Sequence, residues 1–519
     1  MTVLETRSSE RSQRAGRRAR REAGGGISGG KQTWRHLTNP LEPQRAFSDD
    51  QIAAIHDSAL RVLEELGIRV LNDRAIELFR RAGARIDEAE GMVFIDRGLV
   101  ANALASAPAS FTIGGGSPER DVAIGGRSAA FACVGGPPNV IDLDRGRRSG
   151  TEADMLDFFR LSQHFEVLHM QGSSVEPQDV PVHLRHYAQM LGQLRLSDKP
   201  MFAYARGTAQ AEDTWQMIRL GRGLSAEAFQ ARPWCFTVIN TNSPRQLDGP
   251  MCNGIIDFAE AGQATIITPF TLMGAMAPVT IAGALTLQHA EALAGIALSQ
   301  LARPGAPVVY GSFTSNVDMK SGSPAFGTPE FVRAAFGAGQ LARHVNLPWR
   351  GSGATASNAP DAQSAYEFMN SAWGTLLGGV NVMLHAAGWL ESGLSASLDK
   401  FVLDVEMLQM FAHLFLSAEQ ETDGLFEAIA EVGPGGHFFG SAHTLARYET
   451  AFYEPLVSDW RNFGQWTDDG ALTATERANR IWKRVIADFE PPPVDPARIE
   501  AVEDYIARRT REGGAPPET

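Results

Sequence analysis

The chain is 519 residues long, enough for one large domain with extensions or for two to three ordinary domains. Hydrophobic residues at 44% and charged residues at 21% mark a folded globular chain, while a formal net charge of -13 and a pI near 5.5 argue against a nucleic-acid-binding surface or a polybasic membrane surface. Cys133, Cys235 and Cys252 form no CxxC pair and leave an odd count, which points away from a disulfide framework or a cysteine zinc site and towards a reducing, cytoplasmic compartment.

Residues 1–45 read as a disordered basic and glycine-rich tail. The cluster from Gly16 to Arg21 has no apolar region after it, so it is no secretory signal. Gly25-xxxx-Gly30-Lys31 nearly spells a phosphate-binding loop, but Gln32 stands where the Mg-binding hydroxyl belongs and no strand precedes it. Residues 46–128 then alternate short elements in a small α/β region. Ser48 is placed to cap a helix in which Ile52, Ile55, Ala59, Leu63 and Leu66 recur at helical spacing until Gly67 stops it. Strands at 68–71, 93–95 and 111–113 and helices at 73–82 and about 99–105 follow. No stretch approaches the roughly 18 consecutive apolar residues of a membrane span.

A repeating unit fills residues 129–417: a short apolar run, a break of Gly, Ser, Asn or Pro, then a helix. The runs lie at 131–134, 168–171, 201–204, 234–239, 264–267, 308–310, 347–349 and 380–384, and helices such as 152–163, 285–301, 331–344 and 362–377 fall between or after them. Eight strands alternating with helices over 250 residues or more is the arithmetic of an α/β protein of the TIM (β/α)8 barrel class, here with an N-terminal α/β region and a C-terminal helical extension. Residues 418–519 form that extension. It holds a turn cluster, Gly433-Pro-Gly-Gly-His437, an aromatic-rich stretch at 448–466 and a last charged helix near 498–511.

Reactive groups of such a barrel sit at the C-terminal ends of the strands. Those positions hold Phe131, Cys133, Gln171, Ser173, Tyr204, Arg206, Asn240, Asn242, Phe270, Phe313, Thr314, Asn316, Ser352, Thr355, His385, Trp389 and Glu391. Aromatic and neutral polar residues dominate, and paired carboxylates and metal-ligand clusters are missing. A metal hydrolase wants several His and Asp there, and a glycosidase wants two carboxylates. His183-x-x-His186 is the only close histidine pair and reads as a feature of an outer helix surface. Ring faces with neutral polar groups suit a cationic or apolar ligand instead.

Several motifs carry a family resemblance. Ala290-Glu-Ala-Leu-Ala-Gly295, Arg303-Pro-Gly-Ala-Pro-Val308 with Val317-Asp-Met-Lys320, Asp361-Ala-Gln363, His385-Ala-Ala-Gly-Trp-Leu-Glu391, Ser458-Asp-Trp-Arg-Asn-Phe463, Ile481-Trp-Lys483 and Glu490-Pro-Pro-Pro493 together resemble the trimethylamine methyltransferase superfamily. The resemblance covers nearly the whole chain. It implies a TIM-barrel enzyme that moves a methyl group from a methylated amine to the Co(I) of a separate corrinoid protein. Archaeal trimethylamine members carry pyrrolysine in the region that aligns with Gly351 to Ser357, where this chain has only Gly-Ser-Gly-Ala-Thr-Ala-Ser. The chain therefore resembles the non-pyrrolysine branch, whose substrates are quaternary amines such as glycine betaine, carnitine and proline betaine.

On that resemblance, Trp389, Phe131 and Phe313 are expected to cage the ammonium and His385 to meet the substrate carboxylate, with Arg206 and Asn240 as further candidates. Glu391 is expected to brace its loop or to face the ammonium. No residue is singled out as catalytic and no metal site is expected. A DxHxxG lower-ligand motif is absent, so cobalamin is expected to arrive on the corrinoid partner rather than to be held permanently. A homo-oligomer without nucleic-acid or membrane partners is expected. Two other readings stay open: a lyase or hydrolase using Asp318 with Glu391, and a non-catalytic betaine-binding barrel.

Overall fold

The computed structural model describes residues 33–416 and 422–518. The described residues 34–416 with 475–518 form one compact unit, and the described residues 422–474 belong to a second. The basic cluster at 16–21 and the near phosphate-loop motif at 25–31 lie outside the described residues.

The fold is mixed α/β. Seven of the expected runs overlap strands of one sheet, β1 (Ser128–Phe131), β2 (Met201–Phe202), β3 (Cys235–Ile239), β4 (Ala264–Ile267), β5 (Val308–Gly311), β6 (Trp349–Ser352) and β7 (Val382–Leu384), and the run expected at 131–134 shares only Phe131 with β1. Their order is β1-β7-β6-β5-β4-β3-β2, and every neighbouring pair is parallel. Parallel strands need crossovers, and the helices between them supply these. The run expected at 168–171 is not a regular strand. It touches the residue that follows β1 through one parallel bridge, Ala132 to Met170, and reaches the segment before β2 by a hydrogen bond from Gln171 N to Pro200 O at 3.0 Å. Within it the imidazole Nδ1 of His169, rather than a strand carbonyl, accepts the Phe131 N–H at 3.1 Å, and a second isolated bridge, Gly135 to Ser174, follows further along.

Side chains alternate along the strands, so one set faces a shared interior. Ala130, Ala132, Met170, Phe236, Ala264, Ile266, Val309, Val382 and Leu384 form one buried apolar cluster. Ile113, Val122 and Ile124 join it from a hairpin of Ser110–Ile113 and Val122–Gly125, which is tied to the N-terminal edge of the sheet by Gly114 N to Pro233 O at 2.8 Å. The other set faces the helices, as Trp349 does against Gly339 and Gly378. The interior is thus filled from the N-terminal side, and a cavity opens at the C-terminal ends.

The N-terminal region folds around α1 (Asp49–Arg61), whose capping box joins the Ser48 side chain and Gln51. Residues 34–45, placed in the tail by the sequence reading, are part of the fold: Leu37–Thr38 pairs antiparallel with β1, Trp34 packs 5.2 Å from His169, and Asn39 Nδ2 donates to Leu376 O at 2.8 Å. These partners are far away in sequence, so no local pattern announces them. Helix α2 (Ile281–Ala302) is long and apolar enough to cross a membrane by length and composition, and 72% of its apolar window is buried among the protein's own helices.

Two C-terminal helices rejoin the first unit through buried carboxylates. Asp399 accepts from Trp482 Nε1 at 2.8 Å and from Asn479 Nδ2 at 3.0 Å, which gives the Ile481-Trp-Lys483 motif a docking role. Asp213 accepts from Tyr187, Tyr505 and Arg509 and so ties Pro496–Arg511 to the helix Arg185–Leu196. His186 lies in this cluster, 1% exposed, which corrects its reading as a surface histidine. Its partner in that pair, His183, is half-buried.

A Cβ at Gly339, in the helix Pro329–His344, would stand 2.2 Å from Gly378 O at the end of the next helix. Gly339→Ala is expected to lower unfolding free energy by about 1–3 kcal/mol by forcing the helices apart, read as a lower urea midpoint. An unchanged midpoint would show that the helix contact is slack.

Candidate functional site

A cavity of about 260 Å³ opens across the C-terminal ends of the parallel strands. That is just below the roughly 300–1,000 Å³ of drug-sized ligand sites, so a ligand of few heavy atoms fits. A larger depression of about 390 Å³ lies between the outer helices Thr208–Arg222 and Gly249–Glu260, where no end of the parallel sheet's strands lines it.

One wall is built by β5, β6 and β7 and their loops. Phe313, Arg350, Leu384, His385 and Trp389 line it. The imidazole of His385 and the indole of Trp389 are 3.8 Å apart between centroids, and Phe313 stands 5.7 Å from the first and 6.1 Å from the second. Strict alternation would turn His385 away after the inward-facing Leu384. Its backbone is in the left-handed region instead, φ 53, which returns the ring to the cavity side at a steric cost that a non-glycine residue bears. Trp389 is positioned by its neighbours: Thr355 Oγ1 donates to its carbonyl at 2.6 Å, and Gly393, φ 99, leaves room where a Cβ would meet the indole at 2.5 Å.

Phe202, Tyr204 and Phe236, from β2, β3 and the loop between, make the facing wall. Phe202 meets both other rings edge to face, at 5.5 and 5.6 Å. Arg206 and Asn240 also line the cavity, but Arg206 is committed: both terminal nitrogens donate to Glu176, at 3.2 and 2.8 Å, and Tyr204 donates to the same carboxylate at 2.6 Å.

Two expected site residues stand elsewhere. Phe131 is fully buried 5.6 Å from His169 and does not line the cavity, because Ala130 and Ala132 take the inward positions of that strand. Glu391 is also outside the lining and accepts from Arg147 at 2.9 Å and from Ser395. Burial works to raise its carboxyl, but those hydrogen bonds outweigh burial and hold it below its ordinary value. Asp318, once paired with Glu391 as an acid–base candidate, is exposed and accepts from the turn N–H groups of Lys320 and Ser321. The two carboxylates serve separate local structures.

Arg350 is the residue that the sequence reading missed. It is 1% exposed, lines the cavity, and holds its Cζ 5.1 Å from the Phe313 ring centroid. Its Nη1 donates to Ser312 O at 3.1 Å, while Nε is buried without a partner and no carboxylate among the described residues pairs with it. Burial alone pushes the guanidinium down to about 9, so it stays charged at neutral pH. The signal was available in Trp349-Arg350: a cation inside a run that is buried on both faces.

Burial, and then the Arg350 charge beside it, hold His385 well below its ordinary value, so the ring is neutral. Below pH 6.5 the unfolded chain protonates this ring and the folded one does not. Its contribution to stability is therefore complete above pH 6.5 and is lost as pH falls towards the depressed folded value, at up to about 1.4 kcal/mol per pH unit. His385→Gln is expected to flatten the pH dependence of the urea midpoint between pH 6.5 and 5 by one proton's worth. A slope equal to that of the unsubstituted protein would show that the ring already carries its proton in the fold.

A family model described as Trimethylamine methyltransferase (MTTB) matches residues 13–514. Glycine betaine methyltransferase of Desulfitobacterium hafniense strain Y51 is 36% identical over 477 residues, 91% of this chain and 99% of that protein. Trimethylamine methyltransferase MttB of Desulfitobacterium hafniense strain DSM 10664 / DCB-2 is 31% identical over 472 residues, 90% of this chain and 94% of that one. Among solved structures, the monomethylamine methyltransferase of Methanosarcina barkeri aligns with a TM-score of 0.46 at 12% identity, over 90% of this chain and 96% of that chain, a likeness too loose to argue from. The family match over most of the length and the two full-length relatives agree: this chain belongs to the trimethylamine methyltransferase family.

Proposed function

We propose that this protein transfers a methyl group from a quaternary amine, glycine betaine first among them, to the Co(I) of a corrinoid protein. The observation that carries the reading is the cavity itself, walled by rings from both sides, with Glu176 and Glu391 each engaged by arginine. The wider architecture is read with it as a closed (β/α)8 barrel, the segment 168–171 serving as the strand between β1 and β2. Support for closure comes from its bridge to the residue that follows β1 and its hydrogen bond to Pro200.

A quaternary ammonium already carries its charge. When the methyl carbon–nitrogen bond breaks, the electron pair stays on nitrogen and the amine departs neutral, so no general acid is needed. Co(I) on the partner protein supplies the electron pair that the methyl carbon accepts. What remains for this chain is to hold the ammonium against ring faces, to present one N-methyl carbon at the cavity mouth, and to exclude water. Phe202, Tyr204 and Phe236 on one wall offer those faces, and Phe313 and Trp389 close the cavity opposite them. The name of the Desulfitobacterium hafniense strain Y51 relative favours glycine betaine within the class.

The test is methyl transfer. The protein is incubated with Co(I) cobalamin or a cognate corrinoid protein and a panel of methylated amines, and methylated corrinoid is followed by absorbance. Methylation from glycine betaine and none from trimethylamine is expected. Silence with every quaternary amine, cognate corrinoid protein supplied, would contradict the reading. Phe202→Ala is expected to weaken glycine betaine binding about 10-fold, the worth of one partly desolvated cation–ring contact. Unchanged affinity would remove Phe202 from the ammonium site.

A further inference from the structure

Arg350 presents a charge that no carboxylate among the described residues answers. The guanidinium carries five N–H donors, and the structure gives it one hydrogen bond, to Ser312 O. Leaving a buried ion unpaired costs several kcal/mol, and a cavity opens beside this one. A planar anion with two oxygens matches the guanidinium fork better than any neutral group. Next to it, His385 Nδ1 and Trp389 Nε1 are also buried without partners, and the neutral His385 can present an N–H there. Three unanswered polar groups therefore converge on one end of the cavity.

The other end is walled by rings and holds one unpartnered neutral hydroxyl, Thr237, and no unpaired charge among the described residues. Phe202, Tyr204 and Phe236 belong to the β2–β3 side, separated from β6 by β4 and β5 in the sheet order. A cation placed beside Arg350 is repelled, whereas the same cation on those rings meets their electron-rich faces. Arg206, the other cavity arginine, is satisfied by Glu176 and offers no free fork. A zwitterion with its carboxylate and ammonium a few bonds apart fits this division.

We propose that Arg350 is the carboxylate anchor of the cavity, and that it selects quaternary amines bearing a carboxylate over those bearing a hydroxyl or no second group. The Ser312 carbonyl and the Phe313 ring hold the guanidinium in place, and His385 and Trp389 add donors around the same carboxylate. The ammonium then rests towards Phe202 and Phe236. This deepens the quaternary-amine reading and rests on it.

The experiment measures equilibrium binding by calorimetry, without corrinoid, of glycine betaine, choline and tetramethylammonium to the full-length protein and to Arg350→Met and Arg350→Lys. Arg350→Met is expected to weaken glycine betaine on the order of 100-fold, the loss that follows removal of one partner of a buried charge pair, while choline and tetramethylammonium stay within threefold or bind more tightly. Its melting temperature is expected to hold or rise, since a buried unpaired charge is replaced by an apolar chain. Arg350→Lys keeps the charge and loses the fork, and an intermediate glycine betaine affinity is expected. Glycine betaine binding within threefold of the unsubstituted protein in Arg350→Met overturns the proposal, as does an equal loss for all three ligands. Should Arg350→Met fail to fold, Arg350→Lys decides by the same criterion: a loss confined to glycine betaine supports the anchor, and no loss or a uniform one overturns it. Selective loss of glycine betaine binding together with silent methyl transfer would leave the anchor standing and sink the reaction, and the reverse pattern would do the opposite.

Discussion

Taking a guanidinium out of water without a counter-ion costs several kcal/mol, and Arg350 is held in that state within β6. The rest of the cavity follows from that charge. Burial first, and then this charge, keep His385 uncharged, and the guanidinium lies over the Phe313 ring and leaves the cavity with one cationic end. The carboxylates that could neutralise it are held away by other arginines, Glu391 by Arg147 and Glu176 by Arg206. A cavity of this kind has a direction built into it before any ligand arrives.

Backbone geometry gives the rings their places. The left-handed conformation at His385 puts two consecutive side chains, Leu384 and His385, into the same cavity. Gly388 N donates to Asp404, itself paired with Lys400 in the buried helix Leu398–Leu414, so the loop between His385 and Trp389 is fastened from behind. Burial raises the Asp404 carboxyl to about 6, and the Lys400 ammonium works against that rise. Loops carry function when a rigid scaffold positions them, and here the scaffold reaches the loop through a main-chain N–H.

Much of the fold was legible because the parallel strands are buried on both faces and read as apolar runs. The run at 264–267 became β4 as it stood, and 380–384 contains β7. Where the reading slipped, a polar side chain had entered a strand. Arg350 ended the expected run at 349, although the true strand continues to Ser352, and the residue that closed the run is the one facing the cavity. The 168–171 segment is reduced to isolated bridges, and within it the His169 side chain takes the Phe131 backbone proton, a pairing that no propensity encodes. At the site, His385, Trp389, Phe313, Asn240 and Arg206 line the cavity as placed by strand-end reasoning, whereas Phe131 misses it by a single step of alternation. The commitment of Arg206 to Glu176 is a contact 30 positions apart in sequence, and only three-dimensional structure exposes it.

The account turns on the direction in which a zwitterion lies between Arg350 and the β2–β3 rings. A crystal structure of the protein soaked with glycine betaine measures that direction. The account predicts the carboxylate within hydrogen-bonding distance of the Arg350 guanidinium and the N-methyl groups against Phe202 and Phe236. A carboxylate turned towards Arg206, with the ammonium packed beside Arg350, would contradict it.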